Sequence, residues 1–153
     1  MERQELIKSA LNKAMYLCSK REYCREEIRQ KLVSWDVSNS DSEKILDSLV
    51  AERFIDESRY ANAFTRDKFK YNKWGKVKIA SQLKLKRIPM DIISESLGGI
   101  DHDAYVLLLK DLLTAQKKRI KANSEYELKG KLLRFALSKG FESSLVYEIL
   151  WDE

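Results

Sequence analysis

Few residues in this sequence could carry acid–base, metal or redox chemistry. There is one histidine, His102, between Asp101 and Asp103. Three adjacent residues do not easily converge on one ion, and the trio reads better as a helix start with Asp101 as its cap. Two cysteines, Cys18 and Cys24, are too few for a disulfide framework and form no CxxC pair. Both are expected as reduced, partly buried thiols. A single histidine leaves no Ser-His-Asp triad of the usual kind and no histidine-rich metal site. Carboxylates are plentiful but fall in helical, surface-like settings, and no glycine loop suits a phosphate. No enzymatic activity and no cofactor are therefore expected; binding is the chemistry that remains.

The binding signal is basic and aromatic. The net charge of +5 is unevenly spread. Residues 1–50 balance nine basic against nine acidic groups, whereas residues 66–87 hold nine basic groups and one acid. Within that stretch Lys68, Lys70, Lys73, Lys76 and Lys78 alternate with Phe69, Tyr71 and Trp74, and Lys84, Lys86 and Arg87 follow. Such a composition suits phosphate contacts, base stacking or a protein interface rich in anchors. The alternative is that Phe69 and Trp74 pack inward and the lysines are merely solvated. At about 100° per residue, Ile79, Ala80 and Leu83 share one helix face, and Val77, Lys78, Ser81, Lys84 and Leu85 lie opposite. Two apolar residues among outward lysines suggest contact with a partner. A second basic block spans residues 117–139. Lys117, Lys118, Arg119 and Lys121 are accounted for by a helix C-terminus, where the dipole favours cations. Lys129, Lys131 and Arg134 need a partner or open water. Gly130, costing about 1 kcal/mol in a helix interior, is expected to mark close helix packing. Trp35 and Trp151 are expected as packing anchors.

The elements that position these residues are helices. In 153 residues there are five glycines and one proline, with 44% hydrophobic and 35% charged residues. That is too little turn punctuation for a sandwich and too apolar for a disordered chain. No run of about 18 apolar residues spans a membrane. The polar start lacks the apolar core of a signal peptide, so a cytoplasmic protein is expected. Apolar spacing gives nine helices. Leu6, Ala10, Ala14 and Leu17 mark the first; Ser38, Asp56, Asp101 and Ser124 cap later ones. Pro89 is expected in a first turn, and Gly98-Gly99 as a left-handed helix end. The seventh helix is expected over about residues 102–121.

The helices repeat. Ile28, Leu32, Val37 and Leu46 recur as Ile79, Leu83, Ile88 and Leu97, and again as Leu132, Ala136, Phe141 and Leu150, at constant offsets. Ala136 is the weak member. The expected fold is all-α: three tandem three-helix repeats, over residues 1–53, 54–99 and 100–153, in an elongated, curved row.

The segment Phe54-Ile55-Asp56-Glu57-Ser58-Arg59-Tyr60-Ala61-Asn62-Ala63-Phe64 resembles the signature of the RecX family of recombinase regulators. Gly75, Ile79, Leu83 and Ile88 continue the likeness. So do Tyr16-Leu17, Arg21, Ile28 and Leu32 in the first unit, and Leu137-Ser138-Lys139-Gly140-Phe141 in the third. The likeness covers roughly residues 10–151. Two departures stand out: Cys24 where a Ser or Thr cap is usual, which should weaken a cap, and Asp36 where glycine is common, which should alter one turn. The resemblance implies a non-enzymatic regulator, a monomer, that binds the RecA recombinase filament, typically in its groove on DNA, and restrains filament growth, ATP hydrolysis and strand exchange. It also implies roles in recombination, DNA repair and the SOS response. The residues alone leave a second possibility, a stand-alone helical nucleic-acid-binding protein acting through segment 66–87.

Overall fold

The computed structural model describes residues 2–152. Among them lie nine α-helices and no strand: α1 (Arg3–Lys20), α2 (Arg25–Ser34), α3 (Asn39–Ala51), α4 (Glu57–Asp67), α5 (Lys76–Leu85), α6 (Met90–Gly98), α7 (His102–Lys117), α8 (Glu125–Ser138) and α9 (Ser143–Trp151). One π-helical turn, Lys68–Asn72, prolongs α4. Four helices start where a short polar side chain accepts a backbone N–H. Ser38 takes it from Asp41 at 3.2 Å, Asp56 from Arg59 at 3.0 Å, Asp101 from Ala104 at 2.9 Å, and Ser124 from Glu127 at 3.1 Å. Each such cap is worth about 1 kcal/mol.

The helices form three units, each with its own core. Ile28, Leu32, Leu46 and Leu49 are fully buried in the first; Ile79, Leu83 and Ile93 in the second; Leu109, Ala136 and Val146 in the third. The weak repeat member, Ala136, is as buried as its larger counterparts. In the second unit, a buried pair ties α4 to α6: the Ser96 hydroxyl meets Thr65 at 2.8 Å and the Ala61 carbonyl at 2.9 Å. Residues near unit boundaries cross over. Phe54 and Ile55 pack on the first core, and Cys24 lies in the second.

The repeat extends to the backbone. The middle helix of each unit ends on a left-handed residue: Asp36 at φ 65°, Arg87 at φ 58° and Gly140 at φ 95°. The next N–H then reaches back to close the turn: Val37 to Leu32 at 3.0 Å, Ile88 to Leu83 at 3.1 Å, Phe141 to Ala136 at 3.2 Å. Asp36 therefore leaves its turn unaltered. Aspartate is among the residues that tolerate this conformation, and the apolar residue after it anchors the turn in the core.

Several expectations need correction. Gly99 sits at φ −76° and is not left-handed; the chain simply runs on into Asp101. Pro89 stands one residue before α6 rather than in its first turn. The seventh helix stops at Lys117. Gly130 marks no close packing, since an added Cβ would meet only the Arg134 guanidinium, at 3.9 Å. Cys24 is fully buried and is not a weakened cap: it forms a capping box with Glu27, whose carboxylate accepts the Cys24 N–H at 3.1 Å.

Candidate partner-binding face

The basic stretch begins at the π-helical turn. That turn ends at Lys73, which is left-handed at φ 57°, and the Trp74 N–H closes onto the Lys68 carbonyl at 3.1 Å. The chain is thereby reversed so that Trp74 folds back beside α4. Its ring meets Phe64 edge-on at 6.4 Å. Lys68 lies 5.0 Å from the Trp74 ring and Lys78 lies 4.8 Å from it. Two ammonium groups on one indole are each worth about 0.5–1 kcal/mol at an exposed site. Single π-turns inside helices often coincide with functional sites.

The sequence candidates separate into classes by environment. Lys70, Lys73 and Lys84 are exposed and have no carboxylate within 4 Å among the described residues. Lys68, Lys76 and Lys78 are half-buried, each over an aromatic ring, with Lys76 4.9 Å from Tyr105. Val77 and Leu85 are 54% and 72% exposed on the outward side of α5. Lys78 is less outward than its helix position implies, because its Cβ packs beside Gly140. Lys86 and Arg87 face the first unit, pairing with Glu27 at 3.3 Å and Glu26 at 3.7 Å. In the second block, Lys129 lies over Trp151 at 5.6 Å, Lys131 pairs with Glu127 at 3.1 Å, and Arg134 is exposed. Trp151 itself is 37% exposed, packed at a tilt against Tyr147 rather than anchoring a core.

Tyr105 and Lys139 were not among the candidates, yet they fix how the basic segment is presented. The Tyr105 hydroxyl accepts the Lys76 N–H at 2.8 Å and donates to the Glu142 carboxylate. Burial, then the Glu142 hydrogen bond, holds its phenol well above the usual tyrosine range. The Gly75 N–H reaches the Lys139 carbonyl at 2.8 Å and the Val77 N–H the Gly140 carbonyl at 2.9 Å. The Lys139 ammonium in turn donates to the Asn72 carbonyl at 3.2 Å, closing the π-turn from the other side. A sequence signal for Tyr105 exists: it stands four residues after the cap Asp101, as Tyr60 stands four after Asp56. No group of three or more His, Cys, Asp or Glu side chains among the described residues is placed to hold a metal ion.

The middle unit thus carries an exposed basic face, and known proteins resemble the chain that carries it. Family descriptions match each unit: the first three-helix domain of RecX over residues 10–49, the second over 56–97 and the third over 108–150. A regulatory protein RecX from Prosthecochloris aestuarii is 31% identical over 145 residues, covering 94% of this chain and 92% of that one. This chain belongs to the RecX family. Another relative is covered less fully: a regulatory protein RecX of Clostridium botulinum is 32% identical over 130 residues, and the match spans 59% of its length. A crystal structure of a regulatory protein RecX superposes with a TM-score of 0.88 at 25% identity, covering 99% of this chain and 74% of that one. Among the described residues no helix is long and apolar enough to cross a membrane.

Proposed function

We propose that this RecX-family chain is a regulator that lies along a RecA-type recombinase filament in the cytoplasm and restrains its growth, ATP hydrolysis and strand exchange. It catalyses nothing and uses no cofactor. The observation that carries the reading is the unneutralised lysine face of the middle unit, over residues 54–99, beside the outward apolar pair Val77 and Leu85. Positive charge without nearby acids speeds encounter with a DNA-coated filament and supplies phosphate contacts. The apolar pair adds contact that salt does not screen. A row of units touching mainly their neighbours can bridge several filament subunits and hold them in one state.

The informative variant reverses Lys70, Lys73 and Lys84 to glutamate together. These three are exposed and have no carboxylate partner, and Lys70 lies only over its exposed neighbour Tyr71, whereas Lys76 and Lys78 lie over rings at a unit junction. Circular dichroism should show an unchanged helix content. Inhibition of recombinase ATP hydrolysis should weaken about tenfold at low salt, and by less at high salt, where screening has already weakened the parent. Full inhibition by the folded variant at low salt would sink the reading. The interleaved aromatics favour a second reading, a nucleic-acid-binding protein acting alone. Strongly salt-dependent binding to DNA without recombinase, lost in the same variant while filament inhibition persists, would select it.

A further inference from the structure

Both unit junctions use the same element: the N-terminus of a middle helix docks on the unit that follows. The first N–H of α2, at Arg25, reaches the Glu57 carboxylate at 3.4 Å. The first N–H of α5, at Lys76, reaches the Tyr105 hydroxyl at 2.8 Å. The middle helix of the third unit is built differently. α8 has 14 residues where α2 and α5 have 10 each. All three end on the equivalent left-handed turn, so the extra turn of α8 lies at its N-terminus. Ser124 caps that turn, and Glu127 accepts the Asn123 N–H at 3.1 Å. The first N–H groups of α8 therefore lie about one turn before the position at which α2 and α5 meet the following unit.

The side chains on the outer side of the third unit are not those of a polar cap. Terminal repeats of a solenoid need a polar outer face to stay soluble. Here α8 and α9 enclose a groove of about 580 Å³ lined by Tyr126, Gly130, Leu133, Arg134, Tyr147 and Trp151. Tyr126 is 84% exposed and Tyr147 50%. The Tyr147 and Trp151 rings pack tilted at 31°, with centroids 4.8 Å apart. Gly130 keeps the groove open, since the space above its Cα reaches only the tip of Arg134. The rim is cationic. Lys129 lies over Trp151, and Arg134 has no carboxylate within 4 Å among the described residues. The one carboxylate lining the groove, Glu127, is occupied by Lys131.

We propose that this groove is a stacking site for the bases of single-stranded nucleic acid. A cationic rim around exposed ring faces is the combination that holds a single strand: phosphates on the cations, unpaired bases on the rings. An acidic peptide would satisfy Arg134 and Lys129 but leave the tyrosine faces uncovered. The site is separate from the lysine face of the middle unit, and its test needs no recombinase, so the two readings can fail independently.

The experiment compares binding of a labelled oligothymidylate of about 15 nucleotides with that of an abasic phosphodiester strand of the same length, by fluorescence anisotropy. Both strands see the same cations, and only one can stack. The full chain should prefer the oligothymidylate about tenfold. Gly130→Leu fills the groove without meeting backbone and removes a helical glycine, so its Tm should match or exceed that of the parent. It should bind the two strands alike. Tyr126→Ala, at the most exposed ring, should remain folded and lose part of the preference. If the parent does not distinguish the strands, or if either folded variant keeps the full preference, the proposal is wrong. Tight binding of polyglutamate that Gly130→Leu abolishes would also overturn it and assign the groove to an acidic peptide.

Discussion

The two junctions between units are the same interlock made with different physics. At the first, the residues before α2 and its first turn present acids to the second unit. Glu22 receives the Arg59 guanidinium at 2.7 Å, Glu27 meets Lys86 at 3.3 Å, and Glu26 meets Arg87 at 3.7 Å. Cys24 fills the centre, its thiol pushed up to about 12 by burial and therefore inert at neutral pH. At the second, the equivalent of Cys24 is Gly75, and no carboxylate–cation pair crosses among the described residues. The main chains of α5 and the α8–α9 turn touch instead, with the Gly75 and Val77 N–H groups donating directly to carbonyls of that turn. Side-chain pairs at a half-exposed junction are screened and yielding. Backbone contact through a glycine is short, dry and sterically absolute. The second and third units should therefore move as one body, while the first is the unit that can adjust. That stiffness holds the lysine face of α5 in a fixed relation to the third unit.

The largest effect should come from filling the glycine contact. A Cβ on Gly75 would fall inside the van der Waals envelope of the Gly140 carbonyl and the Phe141 nitrogen, all of it backbone. No rotamer relieves such a clash, so the units must separate. Gly75→Val should cost about 3 kcal/mol, toward the upper end of overpacking penalties, read as a fall in the urea midpoint. Cys24→Val, at the equivalent position of the first junction, should cost under about 1.5 kcal/mol, because that site already holds a side chain. Equal costs would erase the distinction between the two junctions.

A smaller effect is expected from Tyr105→Phe. The ring stays in place against Phe141, with centroids 5.2 Å apart, but the Lys76 N–H and the Glu142 carboxylate lose their shared partner. The expected loss is about 1–2 kcal/mol. Its pH dependence has a definite sign. The folded state holds the Tyr105 proton more tightly than the unfolded chain does, so the contribution is complete below the ordinary tyrosine range, about pH 10, and falls as pH rises beyond it. Tyr60 is shifted the same way by burial. Alkaline unfolding should therefore remain in Tyr105→Phe but become shallower. An unchanged slope would show that Tyr105 contributes nothing to it.

The contrast between junctions was only half legible in the sequence. Apolar spacing at a constant offset specifies the helices and their cores, because periodic burial is a local pattern that any one unit displays. The caps Ser38, Asp56, Asp101 and Ser124 are likewise local. The lysine face of α5, with Val77 and Leu85 outward, follows from helical geometry alone. What periodicity does not carry is which charges meet across units. Lys86 and Arg87 read as part of the basic stretch, yet they reach 59 or more positions back to Glu27 and Glu26. Gly75 reads as a helix breaker, and its role as the contact point for Gly140 needs the third unit in place. The groove at Gly130 was hidden for a related reason: a glycine in a helix signals a missing side chain, not whether a neighbour or solvent fills the gap.

The smallest effect is the most direct comparison, because one amide at each junction occupies the same position. The Arg25 N–H donates to a carboxylate at 3.4 Å, in a region where the surrounding contacts are ion pairs. The Lys76 N–H donates to a neutral hydroxyl at 2.8 Å, clamped by one backbone hydrogen bond on each side. Raising the salt from about 0.1 to about 1 M shortens the screening length from about 10 to about 3 Å. Pairs with one partner near 40% exposed, as Lys86 is, are worth at most about 1 kcal/mol before screening. Amide exchange at Arg25 should therefore quicken by a few-fold in high salt, while exchange at Lys76 stays constant. Lys86→Ala should quicken exchange at Arg25 in low salt and reduce, without abolishing, the further effect of salt, since the Glu22–Arg59 and Glu26–Arg87 pairs remain. The ratio of the two exchange rates cancels any global change in stability, so it isolates the junctions. If salt leaves that ratio unchanged, the ion pairs do not hold the first junction, and the buried Cys24 plug beside Tyr60 must hold it instead.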